Sequence, residues 1–262
     1  MSCVILVMKK SNVMLGVLIV VLALAILGIN IGMRGANADD SDPAAVETLT
    51  TAGKVVVIDA GHGGEDPGAV SNYSGAKEKD ITLVLAQKTK TLLEAAGYTV
   101  IMTRTDDVLV YEGENLSMTA KRRQDLINRK KIMDESKADI VVSIHLNAFT
   151  DTKYFGAQTF YTKESMSSKK LAMCLQDALR EMLDPNNERE ALLKSDDIII
   201  TKNCKVTTTI VECGFLSNEQ DEKKLIDTAY QDKIAEAIKA GIDSYFTVMA
   251  PSPGPADATP KK

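Results

Sequence analysis

From Lys54 onward, apolar and polar positions follow two alternating periods along the chain. Short β-branched runs such as "VVVI" and "IVVSI" are typical of strands buried on both faces of a sheet. Longer stretches between them carry apolar residues at helical spacing. The alternation predicts an α/β domain, with a largely parallel sheet flanked by helices.

The same pattern predicts the individual elements. Strands are predicted at "KVVVIDA", "YTVIMTR", "ADIVVSIHLNA", "GAQTFYT", "DDIIIT" and "KVTTTIVECG". Helices are predicted over 77–97, where Gly97 is a plausible C-cap, over 116–137, and at "SSKKLAMCLQDALREML" and "QDKIAEAIKAGIDSYF". The apolar positions of the first helix are Ile81, Val84, Leu85, Leu92 and Leu93. The side chains predicted to point inward from the second helix include Leu126, Ile127 and Met133.

An apolar run from Val13 to about Gly32 follows Lys9 and Lys10. About 20 apolar residues can span a bilayer as a helix, and the two lysines should stay inside, so the rest of the chain is expected to be exported. A cleaved signal peptide, ending near "ANA" at 36–38, is the alternative. We favour an uncleaved anchor over residues 1–33, a linker over 34–52, a catalytic domain over 53–247 and a disordered, Pro-rich tail over 248–262.

Composition narrows the function further. The chain is 45% hydrophobic and 26% charged, as is ordinary for a globular protein, and its net charge of -5 argues against nucleic acid as the main partner. The cysteines after the apolar segment, Cys174, Cys204 and Cys213, are odd in number and form no CxxC pair. We predict buried free thiols, with one disulfide as the alternative.

The two histidines both follow apolar runs, His62 in "DAGHGGEDPGA" and His145 in "SIHLNAF". Sites in open α/β sheets gather beyond the carboxyl ends of the strands. Asp59 and Asn147 lie at the same strand ends, Glu212 ends "TTTIV", and Glu78 opens the first helix. If these strands are parallel neighbours, both histidines and the two glutamates can converge on one edge of the sheet.

Two imidazoles and one carboxylate, with a fourth position open, make a hydrolytic zinc site, and the second carboxylate could act as general base. No HExxH motif is present. Other interpretations stay open: a lone histidine is often structural, and Glu78 could simply complement a helix dipole. A phosphate loop at "GHGGEDPG" is disfavoured because it lacks the Lys-Ser/Thr of a P-loop.

Five segments, taken in order, resemble the zinc-dependent N-acetylmuramoyl-L-alanine amidases of bacterial cell-wall metabolism: "VVVIDAGHGGEDPGA", "GAKEKDITLVLAQ", "TVIMTRTDD", "ADIVVSIHLNAF" and "IVECGFLSNEQDEKKL". The resemblance covers about residues 54 to 246. It implies a single domain with about six strands, His62, Glu78 and His145 as zinc ligands, and Glu212 as the catalytic carboxylate. The implied reaction hydrolyses the amide between N-acetylmuramic acid and L-alanine in peptidoglycan.

The short chain, its single hydrophobic segment and "SIHLNAF" resemble the sporulation and germination branch most, which helps convert spore cortex toward muramic-δ-lactam. That branch implies peptidoglycan as substrate, a partner lipoprotein for some members, and membrane attachment through the N-terminal segment. Two rival functions remain: another zinc peptidase or deacetylase of the cell wall, and a catalytically dead wall-binding scaffold.

Overall fold

The computed structural model describes residues 51–162, 165–194 and 198–250. The predicted anchor, nearly all of the predicted linker and most of the tail lie outside these ranges. Within them, no helix combines the length and the apolar character needed to cross a membrane. The elements, in chain order, are β1 (Val55–Ala60), α1 (Glu78–Ala95), β2 (Thr99–Met102), α2 (Met118–Glu135), β3 (Ile140–Asn147), β4 (Gln158–Tyr161), α3 (Met166–Leu183), β5 (Leu192–Leu193), β6 (Thr207–Phe215), α4 (Glu219–Leu225) and α5 (Thr228–Met249).

The strands form one six-stranded sheet in the order β2-β1-β3-β6-β4-β5. β2, β1, β3 and β6 are parallel to one another, whereas β4 runs antiparallel to β6 and carries β5 at the edge. The sequence expectation of an α/β domain with a mostly parallel sheet of about six strands is confirmed. The central position of β3 and β6 places the ends of these strands side by side.

The two faces of the sheet are covered unequally. One face packs its alternate side chains, such as Val56 and Ile58, against α1, α3 and α5 in the larger core. The opposite face carries a small core of Val57, Val141, Met133 from α2, and Ile200. Because α2 is the one long helix described on this side, the ends of β3 and β6 are left open there, and a cavity can form beside them.

Two details of the sequence prediction are wrong. The described part of "DDIIIT", from Ile198 on, forms turns and not a strand. Ile200 in this run is 2% exposed because it fills the small core, which accounts for the apolar character of the segment. Ile127, predicted to point inward, is 42% exposed. The prediction of free thiols is confirmed for Cys174, Cys204 and Cys213, although Cys204 is only partly buried.

Candidate active site

His62, Glu78 and His145 converge, with one ligand atom from each lying within 4.8 Å of the others. Glu78 bridges the two rings: its Oε2 lies 3.2 Å from His62 Nε2, and its Oε1 lies 3.0 Å from His145 Nδ1. The elements explain this meeting, because His62 follows β1, His145 lies near the end of the neighbouring strand β3, and Glu78 is the first residue of α1.

The loop that carries His62 depends on glycine. His62 itself has a φ of 61°, in the left-handed region that is uncommon for residues other than glycine. Gly68 has a φ of 65°, and a Cβ there would lie 2.5 Å from Glu78 Oε2 and 2.6 Å from His62 Cδ2. A side chain at Gly68 would therefore displace two of the three converging groups.

Asp66 orients the His62 ring. Its Oδ2 lies 2.7 Å from His62 Nδ1, which leaves Nε2 directed at Glu78. Arg122 of α2 holds the other oxygen of Asp66 at 2.6 Å. Burial lowers the pKa of His62, but its hydrogen bonds with Asp66 and Glu78 outweigh burial and raise that pKa to about 9. Burial raises the pKa of Asp66, but its contact with His62 contributes to lowering that pKa to about 2.

Glu78 is a fixed, ionised carboxylate. Backbone N–H groups donate to both of its oxygens, Ala69 N to Oε2 at 2.8 Å and Leu146 N to Oε1 at 2.9 Å. Burial raises the pKa of Glu78, but the hydrogen bonds and charges of the two histidines prevail and hold it well below its usual range. An ionised oxygen donor is what a divalent cation requires at this position.

Glu212 stands next to His145, since the two residues pair in register between β6 and β3. It is only 9% exposed, and its Oε2 has no hydrogen-bond partner among the described residues. Burial raises the pKa of this carboxyl above its ordinary value. A buried carboxylate oxygen without a partner, beside three candidate ligands, is suited to exchanging a proton with a bound molecule.

Two buried arginines hold the backbone that leads into the site. Arg129 of α2 pairs with Asp59 at 2.9 Å and Asp125 at 2.7 Å, and it donates to the carbonyl oxygen of His62 at 2.6 Å. Arg104 donates to the carbonyl oxygens of the two preceding residues, Ala60 and Gly61, at 2.9 and 3.0 Å. These charge-assisted contacts fix the His62 loop on the sheet.

Six residues near the strand ends or at the start of the first helix are candidates from the sequence, and four of them, the two histidines and the two glutamates, lie together. Asp59 is instead buried within β1 as the partner of Arg129, and Asn147 ends β3, where its carbonyl oxygen accepts from Leu216 N at 2.9 Å. Asp66 and Arg129 were not among the residues predicted from the sequence. Asp66 was detectable, because it follows His62 by four residues in the same glycine-rich loop.

A cavity of about 360 Å³ opens beside the candidate ligands. Its apolar lining comes from Leu126 of α2, Ile210 of β6, and Ile198 and Ile200. Arg122 and Lys194 also line it, and Glu212 and both histidines border it. The volume falls in the range of small-molecule sites and suffices for a short peptide segment.

Comparison with known proteins shows which family this chain is similar to. The family model described as N-acetylmuramoyl-L-alanine amidase matches residues 56–244. The germination-specific N-acetylmuramoyl-L-alanine amidase of Bacillus subtilis is 37% identical over 208 residues, covering 79% of this chain and 85% of the relative. The structure of the CwlD amidase from Clostridioides difficile in complex with the GerS lipoprotein matches with a TM-score of 0.72 at 45% identity, covering 74% of this chain and 99% of that one. An N-acetylmuramoyl-L-alanine amidase structure from Clostridium difficile 630 gives a TM-score of 0.66 at 30% identity, covering 76% of this chain and 100% of that one.

Proposed function

Because the chain belongs to the N-acetylmuramoyl-L-alanine amidase family and to its sporulation and germination branch, we propose that His62, Glu78 and His145 hold a zinc ion that serves its amide hydrolysis. The reaction cleaves the bond between N-acetylmuramic acid and L-alanine in peptidoglycan. The observation that carries the zinc proposal is the meeting of three ligand atoms within 4.8 Å.

The donor set fits zinc. Two neutral imidazole nitrogens and one carboxylate oxygen match the ligands of hydrolytic zinc sites, which keep a further position open for water or substrate. Asp66 supports this fit, because it engages His62 Nδ1 and leaves Nε2 available. When bound, zinc supplies a Lewis acid that polarises the scissile carbonyl and makes water more acidic.

The protein's own groups handle the protons. Glu212 accepts a proton from the attacking water through its unpartnered oxygen and returns it to the departing amine of L-alanine. The raised pKa of Glu212 makes its carboxylate a stronger base, so it takes the proton from water more readily. The protonated carboxyl can then give this proton to the departing amine. The two hydrogen bonds from the backbone to Glu78 keep this ligand in place throughout.

The setting of the reaction follows from the same premise. We place the catalytic domain outside the cytoplasm, attached through the N-terminal segment, with muramic-δ-lactam formation in the spore cortex as the process served. A lipoprotein partner is part of this proposal, and the complex formed by the CwlD amidase supports it.

The test is a digest of purified peptidoglycan by the zinc-loaded protein, analysed by mass spectrometry. We expect free stem peptides that begin at L-alanine, and Glu212→Gln should retain zinc but lose about a thousandfold in turnover. Glu219→Gln, on exposed surface just after β6, is the matched control and should behave as wild type. Released acetate or cuts within the stem peptide would establish one of the rival hydrolases, and unchanged turnover by Glu212→Gln would refute the role of that residue.

A further inference from the structure

Lys194 has an unusual position among the charged groups of the cavity. The lining aspartates are already paired: Asp59 and Asp125 with Arg129, and Asp66 with His62 and Arg122. Lys194, by contrast, has no carboxylate within ion-pair distance among the described residues. Its ammonium lies instead 4.4 Å from the centroid of the Phe160 ring. Among the described residues that line the cavity, this half-buried ammonium is thus the cationic group without a carboxylate partner, and it can pair with an anionic ligand.

The backbone fixes where this ammonium stands. Lys194 directly follows β5, and its N–H donates to the carbonyl oxygen of Tyr161 at 2.9 Å. Phe160, beneath the ammonium, pairs in register with Ile210, which belongs to the cavity lining. Lys194 therefore borders the same cavity as Glu212 and both histidines. Burial raises the pKa of Glu212, and the charge of Lys194 acts against this effect.

The lining also indicates which part of the substrate enters. N-acetylmuramic acid is linked through its lactyl group and brings no negative charge once the amide is formed, whereas the stem peptide does. Its first residue is L-alanine, with a small apolar side chain, and its second, a γ-linked D-glutamate, carries a free α-carboxylate. One residue of extended chain places that carboxylate within about 7 Å of the scissile amide. A cavity lined by apolar side chains and by one such cation matches alanine followed by a carboxylate.

We infer that the cavity binds the stem-peptide side of the substrate, and that Lys194 is a specificity residue for the α-carboxylate of the second stem residue. The inference rests on the proposed amidase function and deepens it. A carboxamide at this position, which some peptidoglycans carry, removes the charge and leaves the ammonium without a partner. The protein should therefore prefer the carboxylate form.

The experiment is a competition in one vessel. The full chain, zinc-loaded and in mild detergent, digests an equal mixture of two muramoyl-peptide pools that differ only in carboxylate or carboxamide at the second residue. Mass spectrometry of the released peptides gives the ratio of the two kcat/KM values. Because both substrates meet the same enzyme molecules, this ratio is independent of how much of a variant is folded or metal-loaded.

We expect wild type to favour the carboxylate pool about tenfold, Lys194→Gln to bring the ratio close to one, and Lys194→Arg to preserve the preference. Lys202→Gln, which removes the same charge from an exposed site outside the cavity lining, is the matched control and should leave the ratio unchanged. A wild-type ratio near one would overturn the inference. So would Lys194→Gln slowing both pools equally, as expected if Lys194 acted only on Glu212, or a preference lost in Arg122→Gln and kept in Lys194→Gln. Failure of wild type to release any peptide would instead contradict the amidase proposal itself.

Discussion

At the scale of single residues, Asp66 determines which nitrogen of His62 is offered to a metal. A histidine that binds through Nε2 needs its other nitrogen engaged, and Asp66 Oδ2 accepts from Nδ1 at 2.7 Å. The carboxylate is itself held by Arg122 and by the backbone N–H of Gly68. His62 is thereby oriented before any ligand arrives, and the entropy of ordering its ring is not lost on binding.

We therefore expect Asp66→Ala to weaken zinc binding by about 10- to 100-fold while the fold is retained. Competition with a chromophoric chelator measures the affinity, and circular dichroism checks the fold. Glu65→Ala is the matched control, because Glu65 is the adjacent acidic residue and also pairs with α2, through Lys121 at 2.6 Å, without contacting His62. Equal affinities for the two variants would show that Asp66 does not orient the ligand.

The sequence predicted those residues of the site whose type alone indicates metal binding or proton transfer. Only two histidines occur, both after strands, and the structure brings them together with Glu78 and Glu212 as the sequence analysis expected. The interior partners were not accessible in the same way. Arg129 lies in "KRRQDLINRKK", where nothing in the local pattern separates one buried arginine from its solvated neighbours.

At the scale of elements, α2 positions the loop that carries His62 and Asp66. Arg122, Asp125 and Arg129 are spaced by three and four residues and therefore share one face of this helix. That face meets the loop at two points, through Asp66 and through the carbonyl oxygen of His62. The helix thus packs onto the sheet largely through charged groups, which explains why its apolar periodicity is weak and why Ile127 was wrongly predicted to point inward.

Replacing Arg129 should consequently destabilise the domain more than replacing a neighbouring cation. Arg129→Met leaves the buried carboxylates of Asp59 and Asp125 without their paired cation, and we expect the free energy of unfolding to fall by about 3–5 kcal/mol. Lys130→Met, which breaks a more exposed pair with Asp134 on the same helix, should cost less than about 1 kcal/mol. Urea denaturation of both variants measures the difference, and similar values would contradict the clamping role of α2.

The strands could be predicted from the sequence, whereas the inward face of α2 could not, because the strands pack through apolar side chains and α2 packs largely through charged ones. β1, β3 and β6 are buried on both faces, so their sequences are continuous β-branched runs. The apolar run at Ile198–Ile200 was wrongly predicted to be a strand, because local sequence does not distinguish a strand from a turn that inserts a side chain into a core. β5 has two exposed residues and gives no periodic signal.

At the scale of the whole molecule, the protonation of the site couples stability to pH. The folded, metal-free protein raises the pKa of His62 from 6.5 to about 9, so it binds that proton more tightly than the unfolded chain does. This contribution to stability is complete below pH 6.5 and is lost as the pH rises toward 9. The raised pKa values of Glu212 and Asp221 act in the same sense, beginning at lower pH.

With a chelator present, we therefore expect the free energy of unfolding to decrease between pH 6.5 and 9, and Asp66→Ala to flatten this decrease. With zinc in excess the stabilisation by the metal should grow over the same interval, because the proton no longer competes for His62. Denaturation midpoints at three pH values, with and without zinc, measure both trends. A metal-free protein whose stability rose toward pH 9 would contradict the assigned environment of His62.

The wide separation of the converging residues along the chain has a consequence for biosynthesis. Residues 62, 78 and 145 meet only after β1 and β3 have paired, and Glu212 arrives with β6, close to the end of the domain. A nascent polypeptide that stops short of β6 contains the three proposed zinc ligands but lacks Glu212. Under the proposed roles, the sequence that supplies the ligands is complete once β3 has been synthesised, whereas hydrolysis also requires translation to continue through β6.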